Sequence, residues 1–250
     1  MRGLIAFIFL TLAALTSCGS RDRSAPILPF SSAPILLFSG AGTSPGDVSA
    51  VERVLRNNDL KYSTANSSRM NEMGEPELRQ YRLLIIPGGN FIDIGNNLSS
   101  GATANIRSAV EKGLNYLGIC AGGFFAGVTG YNSLNLTFGV RFGFYSAENQ
   151  GIRKAAVPIA AAGGSTLDQY WEDGPQFTGW GTVVAKYPDG TPAAVQGSFG
   201  SGWVILSGVH PEAPTDWRRG IKFTTSVQAD NDYAATLIKA ALNGDRLSHY

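Results

Sequence analysis

Short apolar runs alternate with helix-like patterns in the first half of the chain. Ile35–Phe38 and Leu83–Ile86 are apolar throughout and are followed by Ser-Gly and Pro-Gly-Gly, which predicts strands buried on both faces. Asn115–Ile119 predicts a third strand that leads directly into a glycine-flanked cysteine. Ser44 is placed to cap a helix that begins at Pro45.

Two helices are predicted between these strands. The helix from Pro45 has Asp47 in its first turn, and a later helix ends at Gly113. Apolar residues recur with helical spacing on one face of each helix, at Val48, Val51, Val54 and Leu55 in the first and at Ile106, Ala109 and Val110 in the second. Strands that alternate with helices predict a parallel sheet covered on both faces, with a ligand site beyond the carboxyl ends of the strands.

The second half has a different pattern. Strands are predicted at residues 182–187, 193–198 and 203–207, separated by Pro-Asp-Gly and Gly-Ser-Gly turns, so antiparallel hairpins should extend the sheet. A closing helix is predicted with Asp232 as its cap and Gly244 at its end. The predicted fold class is therefore α/β, a three-layer sandwich with a mostly parallel sheet and an antiparallel extension.

Composition narrows the function. Charged residues make up 16% of the 250 residues and the formal net charge is +1, so we expect no nucleic-acid partner. With two cysteines and two histidines in all, we also expect no structural zinc and no other metal or cofactor.

The N-terminus has the pattern of an export signal. Arg2 precedes an uncharged, mostly apolar run from Leu4 to Leu15, which is shorter than the roughly 20 residues that a membrane span needs. Leu15-Thr16-Ser17-Cys18 resembles the lipobox of bacterial lipoproteins. Residues 1–17 are thus interpreted as a lipoprotein signal peptide and 18–32 as a lipid anchor on Cys18 and a tether. Residues 33–250 are predicted to form the domain of an exported protein anchored to the bacterial cell envelope, periplasmic or on its outer face.

One motif suggests a nucleophile. Gly118-Ile119-Cys120-Ala121-Gly122 lies between a buried strand and a further apolar stretch, which is the context of a sharp strand-to-helix turn that projects its central side chain. Backbone N–H groups at such a turn stabilise a developing oxyanion. A buried structural cysteine in a glycine-rich turn is the alternative.

Two further loops contain groups that a thiol nucleophile needs. Pro87-Gly88-Gly89-Asn90 follows a predicted strand, where glycines allow N–H groups to approach a carbonyl oxygen. His210-Pro211-Glu212 follows another strand and supplies an imidazole and an acid that could orient it. The other histidine, His249, is next to last in the chain.

These motifs resemble class I glutamine amidotransferases, which have a flavodoxin-like fold and a Cys-His-Glu triad. Within that superfamily, five ordered phrases are similar to the N-terminal domain of eukaryotic biotin-protein ligases, which also occurs as standalone bacterial proteins. They are FSGAGTSP (38–45), IIPGGN (85–90), NYLGICAGGFFAG (115–127), YWEDGPQF (170–177) and SGVHPE (207–212). The similarity extends from about residue 33 to residue 242.

The resemblance implies a role for each matching residue. Cys120 would be the nucleophile, His210 the general base and acid, and Glu212 its orienting group. The loop Gly88-Gly89 and Ala121 would supply oxyanion donors. No Gly-Arg-Gly-Arg adenylate-binding loop and no synthetase domain are present, so biotinylation and glutamine-dependent synthesis are not implied.

Other loop residues are candidates for the pocket lining. Gly40-Ala41-Gly42 has a strand before it and a helix after it, but Pro45 replaces the third glycine of a dinucleotide fingerprint. Gly40 and Gly42 are therefore interpreted as a tight turn that lines the site together with Asn90. Tyr170 and Trp171 could form a wall for an apolar part of the substrate.

The leading hypothesis is a lipid-anchored cysteine-dependent protein that performs thiol acyl transfer on a small-molecule or peptide amide. A binding module that keeps the scaffold without catalysis is the alternative from a different class. Oxidised-thiol chemistry, as in relatives whose elbow lacks the His-Pro-Glu motif, is disfavoured by the presence of His210. The sequence does not specify the oligomeric state.

Overall fold

The computed structural model describes residues 33–250, apart from the side chain of Glu148. The signal peptide at 1–17, the lipidation site Cys18 and the tether at 18–32 lie outside the described residues. Within the described range, no helix has the length and apolarity needed to cross a membrane.

A nine-stranded sheet forms the centre of the described part of the chain. Its strand order is β2-β1-β3-β4-β11-β10-β9-β6-β7, and β5 pairs separately with β8. The strands are β1 (Ile35–Phe38), β2 (Tyr62–Ala65), β3 (Leu83–Ile86), β4 (Asn115–Ile119), β5 (Gly143–Phe144), β6 (Lys154–Ala161), β7 (Thr166–Glu172), β8 (Pro175–Gln176), β9 (Thr182–Lys186), β10 (Pro192–Phe199) and β11 (Gly202–Ser207).

The sheet has a parallel half and an antiparallel half. The five strands from β2 to β11 in that order pair in parallel. The remaining pairs, from β11 through β10, β9 and β6 to β7, are antiparallel. The predicted mostly parallel α/β sheet with an antiparallel extension is confirmed.

Helices cover both faces of the parallel half. They are α1 (Pro45–Asn57), α2 (Ser67–Glu72), α3 (Glu75–Leu78), α4 (Phe91–Asn96), α5 (Ser100–Glu111), α6 (Ala121–Ala126) and α7 (Val227–Asn243), with a short 3-10 helix at Ser146–Gln150. Successive side chains of β1 point to opposite faces: Ile35 and Leu37 join a core with α1 and α7, whereas Leu36 and Phe38 join a core with α2 to α6. Both faces of β1 are therefore dry, which explains its unbroken apolar sequence.

The elements with strong periodicity form where the sequence predicts them. β1, β3 and β4 have the predicted bounds, and α1 begins after Ser44, whose side chain accepts a hydrogen bond from the Asp47 amide. The closing helix begins earlier than predicted, because Ser226 is its N-cap and Asp232 lies inside it. Gly244 ends it in a left-handed conformation, as expected.

Two parts of the sheet were not predicted. β2 lies at the sheet edge, and among its four residues only Ala65 is buried, so it has no apolar run. The hairpin of β6 and β7 contains alanines, polar residues and Pro158, a composition with weak strand preference. Its pairing with β9 and its packing stabilise it.

Candidate active site

Three neighbouring parallel strands end at the same edge of the sheet. Ile86 of β3 is level with Gly118 of β4, and Ile119 of β4 is level with Ser207 of β11. The loops that follow these strands contain Gly88-Gly89, Cys120 and His210. The strand register thus brings the three sequence motifs together.

Cys120 lies at a strained turn between β4 and α6. Its φ of 49° and ψ of −103° are unusual for a residue with a side chain. A Cβ at Gly118 would lie 2.4 Å from the carbonyl oxygen of Gly122, and one at Gly122 would lie 2.0 Å from that of Ile86. Both glycines are therefore required by close backbone contacts, which explains the G-x-C-x-G spacing.

The thiol of Cys120 lines a cavity of about 490 Å³ that His210 also lines. Its Sγ is 3.6 Å from the carbonyl oxygen of Glu172, to which the thiol donates. Among the hydrogen bonds of residues 33–250, none joins Cys120 to the His210 ring. The thiol and imidazole share a cavity without a direct hydrogen bond.

His210 is held on all sides. Its backbone N–H donates to the carbonyl oxygen of Tyr170 at 2.8 Å, and its ring packs against those of Tyr170 and Trp217. Its Nδ1 atom lies 3.0 Å from Oε1 of Glu212 and also 3.0 Å from Oδ1 of Asp47. Since Nδ1 faces the acids, Nε2 is the ring nitrogen available for Cys120.

Asp47 is a site residue that sequence reasoning missed. It was predicted only as an acid in the first turn of α1, where the helix dipole favours it. It is buried beside His210, and Gly88 makes this possible, since a Cβ there would lie 2.1 Å from Asp47 Oδ1 and 2.6 Å from His210 Cε1. Asp47 shares the helical spacing of Val51 and Val54, so its place on the buried face was the available signal.

The charges of this cluster influence one another. Burial lowers the pKa of His210, but the negative charges of Cys120, Glu212 and Asp47 outweigh it and raise that pKa well above its ordinary value. Burial raises the pKa of Asp47, yet the His210 charge and hydrogen bonds to it lower the pKa overall. For Glu212, burial dominates and raises the pKa.

The same three side chains have the composition of a metal site. Ligand atoms of Asp47, His210 and Glu212 lie within 4.8 Å of one another, which is close enough for a cation. Glu212 is wholly buried, however, and its Oε1 makes a hydrogen bond to the ring at 3.0 Å. The arrangement is that of a hydrogen-bonded charge cluster rather than of an open metal site.

Backbone groups of the two glycine-containing turns border the cavity. Gly89, Asn90 and Ala121 line it, whereas Gly88 lies behind it against Asp47. In the backbone hydrogen bonds of residues 33–250, neither Gly89 nor Ala121 donates its N–H. These two amides are the available donors for an oxyanion.

Several residues predicted to line the pocket have other roles. Trp171 is fully buried, donates to the carbonyl oxygen of Gly174 and packs on Tyr145. Gly40 lies against Phe38, and the carbonyl oxygen of Gly42 accepts from Asn90 N–H. Neither glycine lines the cavity, because both support the turn behind it. Tyr170 borders an adjoining recess and supports His210 instead of lining the main cavity.

The cavity walls differ in polarity. One wall is aromatic: the Phe91 and Phe124 rings stack at 4.8 Å, and Phe144 lies 4.9 Å from Phe124. The opposite side contains Glu172 and Asp173. Sequence reasoning missed the aromatic wall, since its members come from three separate segments.

Comparisons with known proteins were consistent with this geometry. Residues 33–140 match the family described as biotin-protein ligase, N terminal. A biotin–protein ligase of Schizosaccharomyces pombe is 26% identical over 167 residues, which are 55% of this chain and 26% of that protein. The chain thus spans about a quarter of this curated relative's length.

Solved structures share the fold. A glutamine amidotransferase is 19% identical with a TM-score of 0.54, over 72% of this chain and 90% of that one. A putative GMP synthase protein from Thermoplasma acidophilum is 13% identical with a TM-score of 0.54, over 84% of this chain and 96% of that one. Together with the family match, these likenesses confirm the resemblance that the motifs indicated.

Proposed function

Because residues 33–140 match the N-terminal family of biotin-protein ligases and the fold is that of glutamine amidotransferases, we propose that this protein is a cysteine-dependent amidase or acyl transferase. The observation that carries the proposal is the position of Cys120 at a strained turn in a cavity that also contains His210. Its substrate would be a small-molecule or peptide amide.

The geometry supports a two-step reaction. The thiolate of Cys120 would attack the amide carbonyl carbon, while the N–H groups of Gly89 and Ala121 stabilise the oxyanion. The C–N bond then breaks, and the amine leaves with a proton from protonated His210. Water attacks the thioester, neutral His210 accepts its proton, and the carboxylic acid leaves with the thiol restored.

The cavity walls suggest the shape of the substrate. An apolar group would pack against Phe91, Phe124 and Phe144, since aromatic faces favour such contacts. Glu172 and Asp173 would face a polar or cationic part. We therefore expect amides with an apolar or aromatic group near the scissile bond to be better substrates than glutamine.

The alternative is a ligand-binding module on the same scaffold. It is favoured by the contact of the thiol with the Glu172 carbonyl oxygen and by the lack of a hydrogen bond between Cys120 and His210 within the described residues. Under this alternative, His210 would not influence the reactivity of the thiol.

Thiol alkylation separates the two functions. The rate of iodoacetamide addition to Cys120 would be measured at pH 7 by peptide mass for wild type, His210→Ala and, as control, His249→Ala at the exposed second histidine. We expect His210→Ala to slow addition about tenfold or more and His249→Ala to leave it unchanged. Equal rates in all three proteins would favour the binding module.

Activity requires its own test. Incubation with a panel of N-acyl amides, followed by acid quenching, should trap an acyl thioester on Cys120 that is absent from Cys120→Ser. If no amide in an aromatic-rich panel gives an adduct or product, the amidase proposal fails.

Membrane anchoring is a separate part of the proposal. We infer from Leu15-Thr16-Ser17-Cys18 that Cys18 becomes the lipidated N-terminus, because acyl chains supply membrane affinity. Intact-mass measurement should find a chain that begins at Cys18 with added lipid, and Cys18→Ala should be found in the soluble fraction. A different mature N-terminus without lipid mass would contradict this.

A further inference from the structure

Two acids approach the same ring nitrogen of His210. Asp47 comes from α1 and Glu212 from the loop after β11, and each places one oxygen 3.0 Å from Nδ1. A triad needs only one such acid. The contact with Glu212 has hydrogen-bond geometry, whereas Asp47 Oδ1 is a buried oxygen without a hydrogen-bond partner in the described part of the chain.

Burial of a second carboxylate is costly unless positive charge compensates it. Local structure nevertheless places Asp47 there: Ser44 caps the helix at the Asp47 amide, and Gly88 leaves the space that the carboxylate occupies. The unpartnered oxygen of Asp47 is directed at His210. The compensating charge within reach is the protonated imidazole.

We propose that Asp47 is a second positioning residue of the site, which holds His210 from the α1 side and supplies negative charge that keeps its ring protonated. The inference rests on the proposed function, because the protonated ring matters through Cys120. It adds to the Cys-His-Glu triad an acid that the motifs do not contain.

Titratable groups face the ring from each element packed against it. Asp47 approaches from α1, Glu212 from the same loop and Cys120 from the turn after β4. Tyr170 approaches from β7, and its hydroxyl donates to Glu172 at 2.5 Å. Since the pKa of Asp47 is lowered and that of Glu212 is raised, Asp47 is the acid that stays ionised to lower pH.

This arrangement divides the work between the two acids. Glu212 fixes the orientation of the ring through its hydrogen bond. Asp47 stabilises the charge that the ring carries before it protonates the leaving amine. Loss of Asp47 should therefore change the protonation of His210 more than its position.

The test is an NMR titration of the ring nitrogens in the full chain, with a chelator present. Only two histidines contribute signals, and His249→Gln assigns them. We expect Asp47→Asn to lower the His210 titration midpoint by about one pH unit or more. Glu52→Gln, on the exposed side of the same helix, is the matched control and should leave the midpoint unchanged.

Reactivity gives a second readout. Asp47→Asn should slow Cys120 alkylation at pH 7, and Asp47→Glu should restore part of the midpoint shift. If Asp47→Asn folds and its midpoint stays within about 0.3 units of wild type, which is below the effect of a close charge, the proposal is overturned.

A variant that keeps both acids covers the case in which Asp47→Asn does not fold. Gly88→Ala would displace the Asp47 carboxylate from the ring and should also lower the midpoint, whereas an unchanged midpoint would overturn the proposal. The titration needs no substrate. The Asp47 inference can therefore fail while the amidase proposal holds, and an absence of acyl-enzyme leaves the titration result intact.

Discussion

At the scale of single residues, the site depends on backbone that only glycine permits. The positive φ of Cys120 costs about 1–3 kcal/mol by itself. Gly118 and Gly122 remove the clashes that would otherwise prevent the turn, and Gly88 leaves room for Asp47 beside His210. The chain accepts this cost where it directs a thiol into a cavity.

Gly88→Ala tests the packing behind the imidazole. The added methyl would meet Asp47 Oδ1 and His210 Cε1, so we expect slower Cys120 alkylation and a loss of about 1–3 kcal/mol in unfolding free energy. Urea unfolding and alkylation rates measure the two effects. Gly130→Ala is the control because a Cβ there meets nothing within 4 Å, and equal effects of the two variants would contradict the packing argument.

Which site residues the sequence reveals depends on how they are encoded. Cys120, His210 and Glu212 lie in compact motifs directly after strands, so strand order alone brings them to one edge. Asp47 resembles an ordinary first-turn acid, and its contact with His210 depends on how α1 packs. The prediction of Trp171 in the pocket is wrong because sequence does not say which face of β7 its side chain occupies.

At the scale of elements, the hairpin of β6 and β7 contributes backbone to the site. Tyr170 accepts from the His210 amide and Glu172 accepts from the Cys120 thiol, both through carbonyl oxygens. A single strand, β7, thus contacts both chemical groups of the proposed reaction. No side-chain motif records this, which is why sequence reasoning missed the hairpin.

The start of α7 gives a direct test of an element boundary. The Ser226 side chain accepts from the Ala229 amide, so Ser226→Ala should lower the unfolding free energy by about 1 kcal/mol. Asp232→Ala, at the cap that the sequence predicted, should change it by less than about 0.5 kcal/mol. Thermal or urea unfolding of both variants decides, and a larger loss in Asp232→Ala would show that the helix begins there.

At the scale of the whole molecule, stability should reflect the charge cluster. The folded-state pKa of Asp47 is lowered, so its contribution is present above its unfolded value of 3.8 and is lost as the pH falls through the folded pKa. The pKa of His210 is raised, so its contribution is complete below about 6.5 and is lost as the pH rises through its folded pKa. The two contributions overlap between these values.

Asp47→Asn should therefore destabilise the protein in a pH-dependent way. We expect a loss of about 3 kcal/mol near pH 5.5, where the carboxylate and imidazolium are both charged, and a smaller loss near pH 3. Urea unfolding followed by tryptophan fluorescence measures both values, with Glu52→Gln as control. A loss of equal size at both pH values would show that Asp47 acts through packing alone.

The distribution of the site along the chain has a consequence for synthesis. The thiol and Asp47 belong to residues 33–140, whereas His210, Glu212 and the Glu172 carbonyl come from beyond residue 170. Because polypeptides emerge from the ribosome N-terminus first, the nucleophile is made before the groups that surround it. A nascent chain would hold an unassisted cysteine until β7 and β11 join the sheet, so chemical competence would arise only with the completed fold.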